Sequence, residues 1–299
     1  MENGTIMKIA LANQAVIPAF NVPYLPMVEP LVRALREENS FGFIAVARLE
    51  WVKFESKSMD AVQAEYARHG DPNHVRLHLD HIPVIDEDQK RVPYAAEITH
   101  ALEIGYESVM IDGSRLSLED NLAATREAAD IAHAAGRPIE AELGAVVGHE
   151  SGPLPPYEEL FASKRGFTEL KDARRFARES GCDWLSVAIG NIHGAVAEGL
   201  RDQKKPAARL DLDHLSALAE ATKLPLVLHG GSGIPQEYVL ESIRRGIAKI
   251  NIGTELRQAY LTGSNSQQDV PAGQQAVYEE CRRVIGERLK MGGSADLFA

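Results

Sequence analysis

The sequence predicts a (β/α)8 barrel followed by a helical extension. Three observations point there. Apolar, strand-like segments alternate with helix-like ones along almost the whole length, with no linker or low-complexity break. Eight such units can be counted. Several of the strands end in polar or titratable residues, as barrel strands do where they open onto an active site. A doubly wound sheet is the structural rival, but it needs fewer strands and a clear topological switch point.

Taken in order, a turn or helix over Thr5 to Gln14 precedes a first strand from Val16 to Val22, and Pro26 to Glu38 has helical spacing. Phe41 to Leu49 is apolar enough for the second strand, with a helix over Ser58 to Arg68. Val75 to His81 is the third strand, and a helix follows around Pro93 to Ile104. Ser108 to Ser114 and the amphipathic Leu118 to Ala135 form the fourth unit. Ile139 to Val146 is the fifth strand, and a Gly/Pro-containing loop runs from Val147 to about Thr168 before a helix over Glu169 to Glu179. Trp184 to Gly190 is the sixth strand, followed by a polar insert from Ala195 to Arg209. Asp211 or Asp213 caps the next helix, which runs to Thr222. Leu226 to His229 with Gln236 to Arg245, and Ala248 to Thr254, complete the set. The tail is helical to about Lys290, interrupted at Gly263 to Ser266. The two long loops, 147–168 and 195–209, exceed ordinary connection lengths and are expected to cover an active site.

Size and composition fit one domain, with the barrel over about 16–256 and the helical tail over about 257–299. Cys182 and Cys281 lie far apart without a Cys-x-x-Cys pair and read as ordinary thiols in a reducing compartment. No basic, apolar leader occupies Met1 to Ala12, and no run of about 18 apolar residues exists to span a bilayer. A cytoplasmic location is the expectation. The net charge of -11 argues against nucleic acid as the main partner. It leaves room for a small anionic substrate, because backbone amides, a metal and one or two cations can hold a phosphate on an acidic protein.

The chemistry concentrates at strand ends. His81 closes the third strand in His78-Leu79-Asp80-His81, His193 follows the sixth, and His229 closes the seventh. One such histidine is ordinary; three suggest a zinc-like ion with an open coordination position. Asp80 and His81 are adjacent, so on a regular strand their side chains diverge, one to the metal and one to the substrate as proton donor or acceptor. Orientation of a metal ligand is the plainer role for Asp80. Glu140 and Glu142 share one face of the fifth strand and would repel unless a cation or a shared proton intervenes, and Asp112 adds to this acidic group. A salt bridge to a buried Lys or Arg is the alternative. Glu150, beyond the fifth strand, reaches the site only if its loop closes. Gly230-Gly231-Ser232-Gly233 and Asn251-Ile252-Gly253-Thr254 place glycines and hydroxyls after strands seven and eight, where barrels of this class hold phosphate.

These pieces together resemble the class II, metal-dependent fructose/tagatose-bisphosphate aldolase family. The matching stretches are Pro18-Ala19-Phe20-Asn21, His78 to His81, Met110 to Ser114, Glu140 to Gly144, Ala188 to Gly194, Leu228 to Gly233 and Lys249 to Leu256, in the family's order. The resemblance implies that His81, His193 and His229 bind catalytic zinc, and that Asp80 protonates the C4 hydroxyl oxygen during aldol addition. It implies that the metal polarises the ketone and stabilises the enediolate of dihydroxyacetone phosphate, without a Schiff-base lysine. It places Gly194, Gly230, Gly231, Ser232, Gly253 and Thr254 at the phosphate, Asn251 at the dihydroxyacetone part, and Asn21 among the substrate contacts. Glu150 matches a loop acid moving a proton at C1, and Asp112 and Glu142 match acids near an alternate metal position. Na+ or K+ is a frequent companion at the phosphate, and a homo-oligomer, dimer or tetramer, is the expected assembly.

One departure stands out. After the second strand the family has a small Ser/Gly/Thr-rich turn, whereas this chain reads Ala47-Arg48-Leu49-Glu50-Trp51. Arg48 supplies a cation to an anionic group, or pairs with Glu50; Trp51 narrows the pocket. The leading expectation is a zinc-dependent lyase cleaving a fructose- or tagatose-bisphosphate-like ketose. The alternatives are the same chemistry on a deoxy, acidic or sulfonated sugar phosphate, or a catalytically silent regulatory barrel.

Overall fold

Eight parallel strands close into a barrel in sequence order, β1 pairing with both β2 and β8. The computed structural model describes residues 1–146, 156–192 and 208–299. The strands are β1 Ile17–Asn21, β2 Gly42–Ala47, β3 Val75–Pro83, β4 Ser108–Asp112, β5 Ile139–Leu143, β6 Trp184–Val187, β7 Leu226–Leu228 and β8 Ile247–Ile252. The helices, in chain order, are α1 Asn3–Ala12, α2 Val28–Glu37, α3 Arg48–Val52, α4 Met59–His69, α5 Tyr94–Glu103, α6 Leu118–Ala134, α7 Tyr157–Ser163, α8 Leu170–Glu179, α9 Leu212–Thr222, α10 Gln236–Arg244, α11 Thr254–Gly263 and α12 Val270–Arg283.

The outer ring forms because each helix offers an apolar stripe to a strand buried on both faces. In α2 the stripe is Val28, Leu31, Val32 and Leu35, all buried. Ser58, Ser117 and Asp211 cap α4, α6 and α9 by accepting a backbone N–H in the first turn. The cap of α9 is thus Asp211, while Asp213 points outward to Arg245. At the N-terminal end of the barrel, α1 inserts Ile6, Met7 and Ala10 against Ile17, Phe43 and Trp184. That plug closes one end, so chemistry is confined to the other.

Several expected element bounds change: β3 runs on to Pro83 rather than ending at His81, β5 stops at Leu143 rather than Val146, and β6 stops at Val187 rather than Gly190. β2 ends at Ala47 rather than Leu49, and α3 begins at once. The cause is local: the Glu50 carboxylate turns back to accept the Ala47 N–H at 2.8 Å, which starts a helical turn where an apolar run alone suggested continued strand. The stretch expected as loop to Thr168 contains α7. Of the two expected covering loops, residues 147–155 and 193–207 lie outside the described residues. After β8 the tail runs through α11 and α12, and the break between them falls where Gly263 to Ser266 placed it. A π-helical turn, Val284–Leu289, and a short 3-10 turn, Ser294–Leu297, bring Ala295 and Phe298 back onto the plug. Among the described residues no helix is long and apolar enough to cross a membrane.

Candidate active site

The geometry starts with an irregularity in β3. Its register against β4 shifts between Leu79 and Ile82, and His81 adopts a left-handed backbone with φ +34°. A regular strand would send Asp80 and His81 to opposite faces; a bulge re-aims one of them. Ligand atoms of Asp80, His81 and His229 consequently lie within 4.8 Å of one another. The expected divergence of the two neighbours is therefore corrected: both face the barrel mouth. Histidine is one of the residues that tolerate the left-handed region, so the bulge is accommodated at this position.

Polar side chains fill the barrel interior in two layers. In the layer nearer the mouth, His81 Nδ1 is 3.3 Å from Asp112 Oδ2 and 3.9 Å from Glu142 Oε2. His229 Nδ1 is 3.0 Å from the same Glu142 oxygen, and the two imidazole rings are 4.4 Å apart. The Ser114 N–H donates to Asp112 Oδ1 and fixes that carboxylate. In the deeper layer, buried Lys249 sits 2.9 Å from Glu140 and 3.7 Å from Asp80. Trp184 Nε1 donates to Glu140 at 2.6 Å, and His229 Nε2 lies 2.8 Å from the other Glu140 oxygen. His78 packs between Ser108 at 2.9 Å and the two acids, at 3.7 Å from Asp80 and 3.6 Å from Glu140. Asp80 accepts hydrogen bonds from Asn21 at 2.8 Å and from Asn251 at 2.9 and 3.0 Å.

These contacts set the protonation states. Burial works against a charged Asp80, but Lys249, His81 and His78 outweigh it and hold the carboxyl well below the usual range. Burial opposes charge on Glu140 too, and Lys249 and His229 bring it down to about 2. Burial disfavours a charged His81, yet Asp80, Asp112 and Glu142 raise it to about 10. The mouth layer is therefore a place that favours a cation. Two imidazoles with converging carboxylates are the donor set of a zinc-like ion, and the atoms of His81, Asp112 and Glu142 also fall within 4.8 Å of one another. The residues present fit a metal. Glu140, bonded to Nε2 of His229, leaves Nδ1 of that ring facing the cluster.

The glycine-rich turns lie beside it. Gly231 N donates to Asn251 O at 3.0 Å, and a side chain at Gly231 would come within 2.8 Å of that oxygen. Ser232 is buried next to α11, accepting from the Glu255 N–H at 3.5 Å, and Gly253 and Thr254 open that helix. Gly230 adopts φ +62°. Thus Asn21, Gly230, Gly231, Ser232, Asn251, Gly253 and Thr254 all surround the C-terminal ends of β1, β7 and β8. A cleft of about 340 Å³ opens on the opposite side, lined among others by Ala47, Leu49, His81, Asp112, Ser114 and Glu142.

The residues after β2 divide. Arg48 turns to Glu97 at 3.1 Å and Asp86 at 3.6 Å rather than pairing with Glu50. Glu50 points inward; burial first and Asp80 next raise its pKa to about 8. Trp51 packs partly buried against the core. His193, Gly194 and Glu150 lie outside the described residues. Lys249 and His78 join the site although neither is among the residues expected to carry its chemistry. Their signal was available: a lysine inside the apolar run Ile247 to Ile252, two positions from Asn251, shares that residue's inward face.

Residues 2–296 match the family description "Fructose-bisphosphate aldolase class-II". The chain belongs to that family. A fructose-bisphosphate aldolase of Streptococcus pyogenes is 39% identical over 187 residues, which is 62% of this chain and 55% of the relative. One from Streptococcus pneumoniae is 37% identical over 191 residues, 64% of this chain and 56% of that protein. The chain therefore spans little more than half the length of these curated relatives. The crystal structure of the YdjI aldolase from Escherichia coli aligns with 98% of each chain at TM-score 0.75 and 28% identity. A fructose-bisphosphate aldolase from Campylobacter jejuni shares the fold at TM-score 0.73 and 18% identity, over 98% of this chain and 96% of that one.

Proposed function

We propose that this protein is a zinc-dependent lyase that cleaves a phosphorylated ketose between C3 and C4, releasing dihydroxyacetone phosphate and an aldehyde. The observation that carries the reading is the convergence of Asp80, His81 and His229 at the mouth of the barrel, in a chain of this family. His81 and His229, with His193 from outside the described residues, would hold the ion, and Asp112 and Glu142 offer it an alternate position. When bound, the metal supplies a Lewis acid that draws charge from the ketone carbonyl.

The rest falls to side chains. Asp80, ionised among Asn21, Asn251 and Lys249, takes the C4 hydroxyl proton as the bond breaks and returns it in aldol addition. Glu150 is assigned the proton at C1. Gly194, Gly230, Gly231, Ser232, Gly253 and Thr254 are assigned the phosphate, through amides and hydroxyls that need no net positive charge. Asn251 is assigned the dihydroxyacetone part. The aldehyde half then falls in the cleft beside Ala47, Leu49 and Ser114.

The test is proton exchange at C1 of dihydroxyacetone phosphate in deuterated buffer, with and without a chelator. Chelator-sensitive exchange is expected, and it needs no knowledge of the aldehyde. Zinc-loaded protein that exchanges nothing would sink this donor and favour a silent barrel.

A further inference from the structure

Lys249 is a fully buried lysine to which the proposed chemistry gives no role beyond helping to keep Asp80 ionised. Its neighbours are specific: Nζ donates to Asn251 Oδ1 at 2.7 Å and sits 2.9 Å from Glu140. Asn251 in turn gives Nδ2 to both oxygens of Asp80. The orientation of that amide follows from chemistry. An ammonium can only donate and a carboxylate can only accept, so an Asn between them must turn its oxygen to the lysine and its nitrogen to the acid. Without the lysine the Asn251 oxygen loses its donor and only the Asp80 carboxylate still selects the face of the amide, so the orientation is held from one side instead of two.

We infer that Lys249 is a positioning residue: it locks the Asn251 amide, and through it aims the Asp80 carboxylate at the C4 oxygen of the substrate, with Glu140 holding the lysine in place. The arrangement rests on the proposed lyase reading for its consequence, although the amide lock itself does not. Glu140 serves Lys249 and Trp184 through one oxygen and His229 Nε2 through the other, so the deep layer couples the proton-transfer acid to the orientation of a proposed metal ligand. Asn251 and Lys249 are two apart on β8, and Asp80 lies across the barrel on β3, so only closure of the barrel brings them together.

The experiment compares Lys249→Met with the parent protein in three readings: zinc content, C1 proton exchange on dihydroxyacetone phosphate, and cleavage of a ketose phosphate substrate. Exchange leaves the C4 oxygen out; cleavage requires Asp80 to be aimed at it. Cleavage is expected to fall about 100-fold, the scale of a misplaced catalytic group, while exchange falls less than about tenfold and zinc stays bound. Equal losses in both reactions, or unchanged cleavage, would overturn the proposal. A fourth reading is independent of activity: the side-chain amide resonance of Asn251, assigned through Asn251→Asp, should shift in Lys249→Met, and an unmoved resonance would also overturn it. Should Lys249→Met fail to fold because Glu140 and Asp80 lose their cation, the charge-balanced Glu140→Gln/Lys249→Met protein takes its place, with the same amide shift and the same excess loss of cleavage over exchange expected. Parent protein that shows no exchange would remove the lyase reading, and the amide resonance would still decide the lock.

Discussion

The two polar layers of the barrel are built from the same residue types and solve opposite problems. The deep layer sets His78, Asp80 and Glu140 around Lys249, a cation carried by the chain itself. The mouth layer sets His81, His229, Asp112 and Glu142 around one another, and among the described residues no Lys or Arg pairs with its two carboxylates. Buried carboxylates without a counter-charge are costly, and removing one partner of a buried pair costs more than the pair contributes. Burial alone therefore does not mark a metal site. A histidine–acid cluster with an internal lysine is a scaffold; one without it is a receptor.

The sharpest way to break this comparison is Asp80→Ala. The residue is held by the deep layer but acts at the mouth, so cleavage should fall by about 10²–10⁴-fold while metal content and circular dichroism stay unchanged. Near-normal turnover would remove Asp80 from the chemistry. Next in size is Glu140→Gln, which disturbs an acid that bonds Lys249 in the deep layer and His229 in the mouth layer. Metal affinity, titrated against a competing chelator, should weaken by about 10–100-fold; an unchanged constant would uncouple the layers.

Acid titration tests the deep layer in the metal-free protein. Glu140 is depressed from its ordinary value to about 2, so its contribution is complete above about 4.5 and is lost as pH falls toward 2. The melting temperature of the parent should therefore drop more between pH 5 and pH 3 than that of Glu140→Gln/Lys249→Met. Parallel curves would mean that the pair contributes no stability linked to protons. A smaller effect is expected from Gly231→Ala, where the new methyl meets Ile250 and the Asn251 carbonyl. It should cost about 1–3 kcal/mol in chemical denaturation and raise KM for the phosphorylated substrate. Smallest is Arg48→Ala: its pairs with Glu97 and Asp86 are partly exposed, so stability should change by less than about 1 kcal/mol and cleavage should keep its KM. A large rise in KM would return Arg48 to the substrate pocket.

Much of this was legible in the chain. Strand periods, the caps and the break at Gly263 follow from local propensity, and the acids and histidines announce themselves by ending apolar runs. Local rules failed where a side chain acts back on its own backbone. Glu50 ends β2 early through the Ala47 amide, and the bulge at His81 overrides the alternation that would separate it from Asp80. Arg48 could not be placed from sequence, since its partners lie in the segment after β3 and on α5.

By itself, then, the sequence determined the order and kind of elements, the inventory of donors, and the family to which they belong, because period, turn chemistry and motif spacing are properties of neighbouring residues. Tertiary structure alone decided which charges meet. Lys249, Glu140 and Asp80 come from three different strands, and only closing the barrel in a fixed register makes them one network. The same closure turns Asn251 toward Asp80 and sets His81 in two overlapping groups, one with Asp80 and His229 and one with Asp112 and Glu142, because distance across a barrel interior is set by strand number and shear, not by sequence separation.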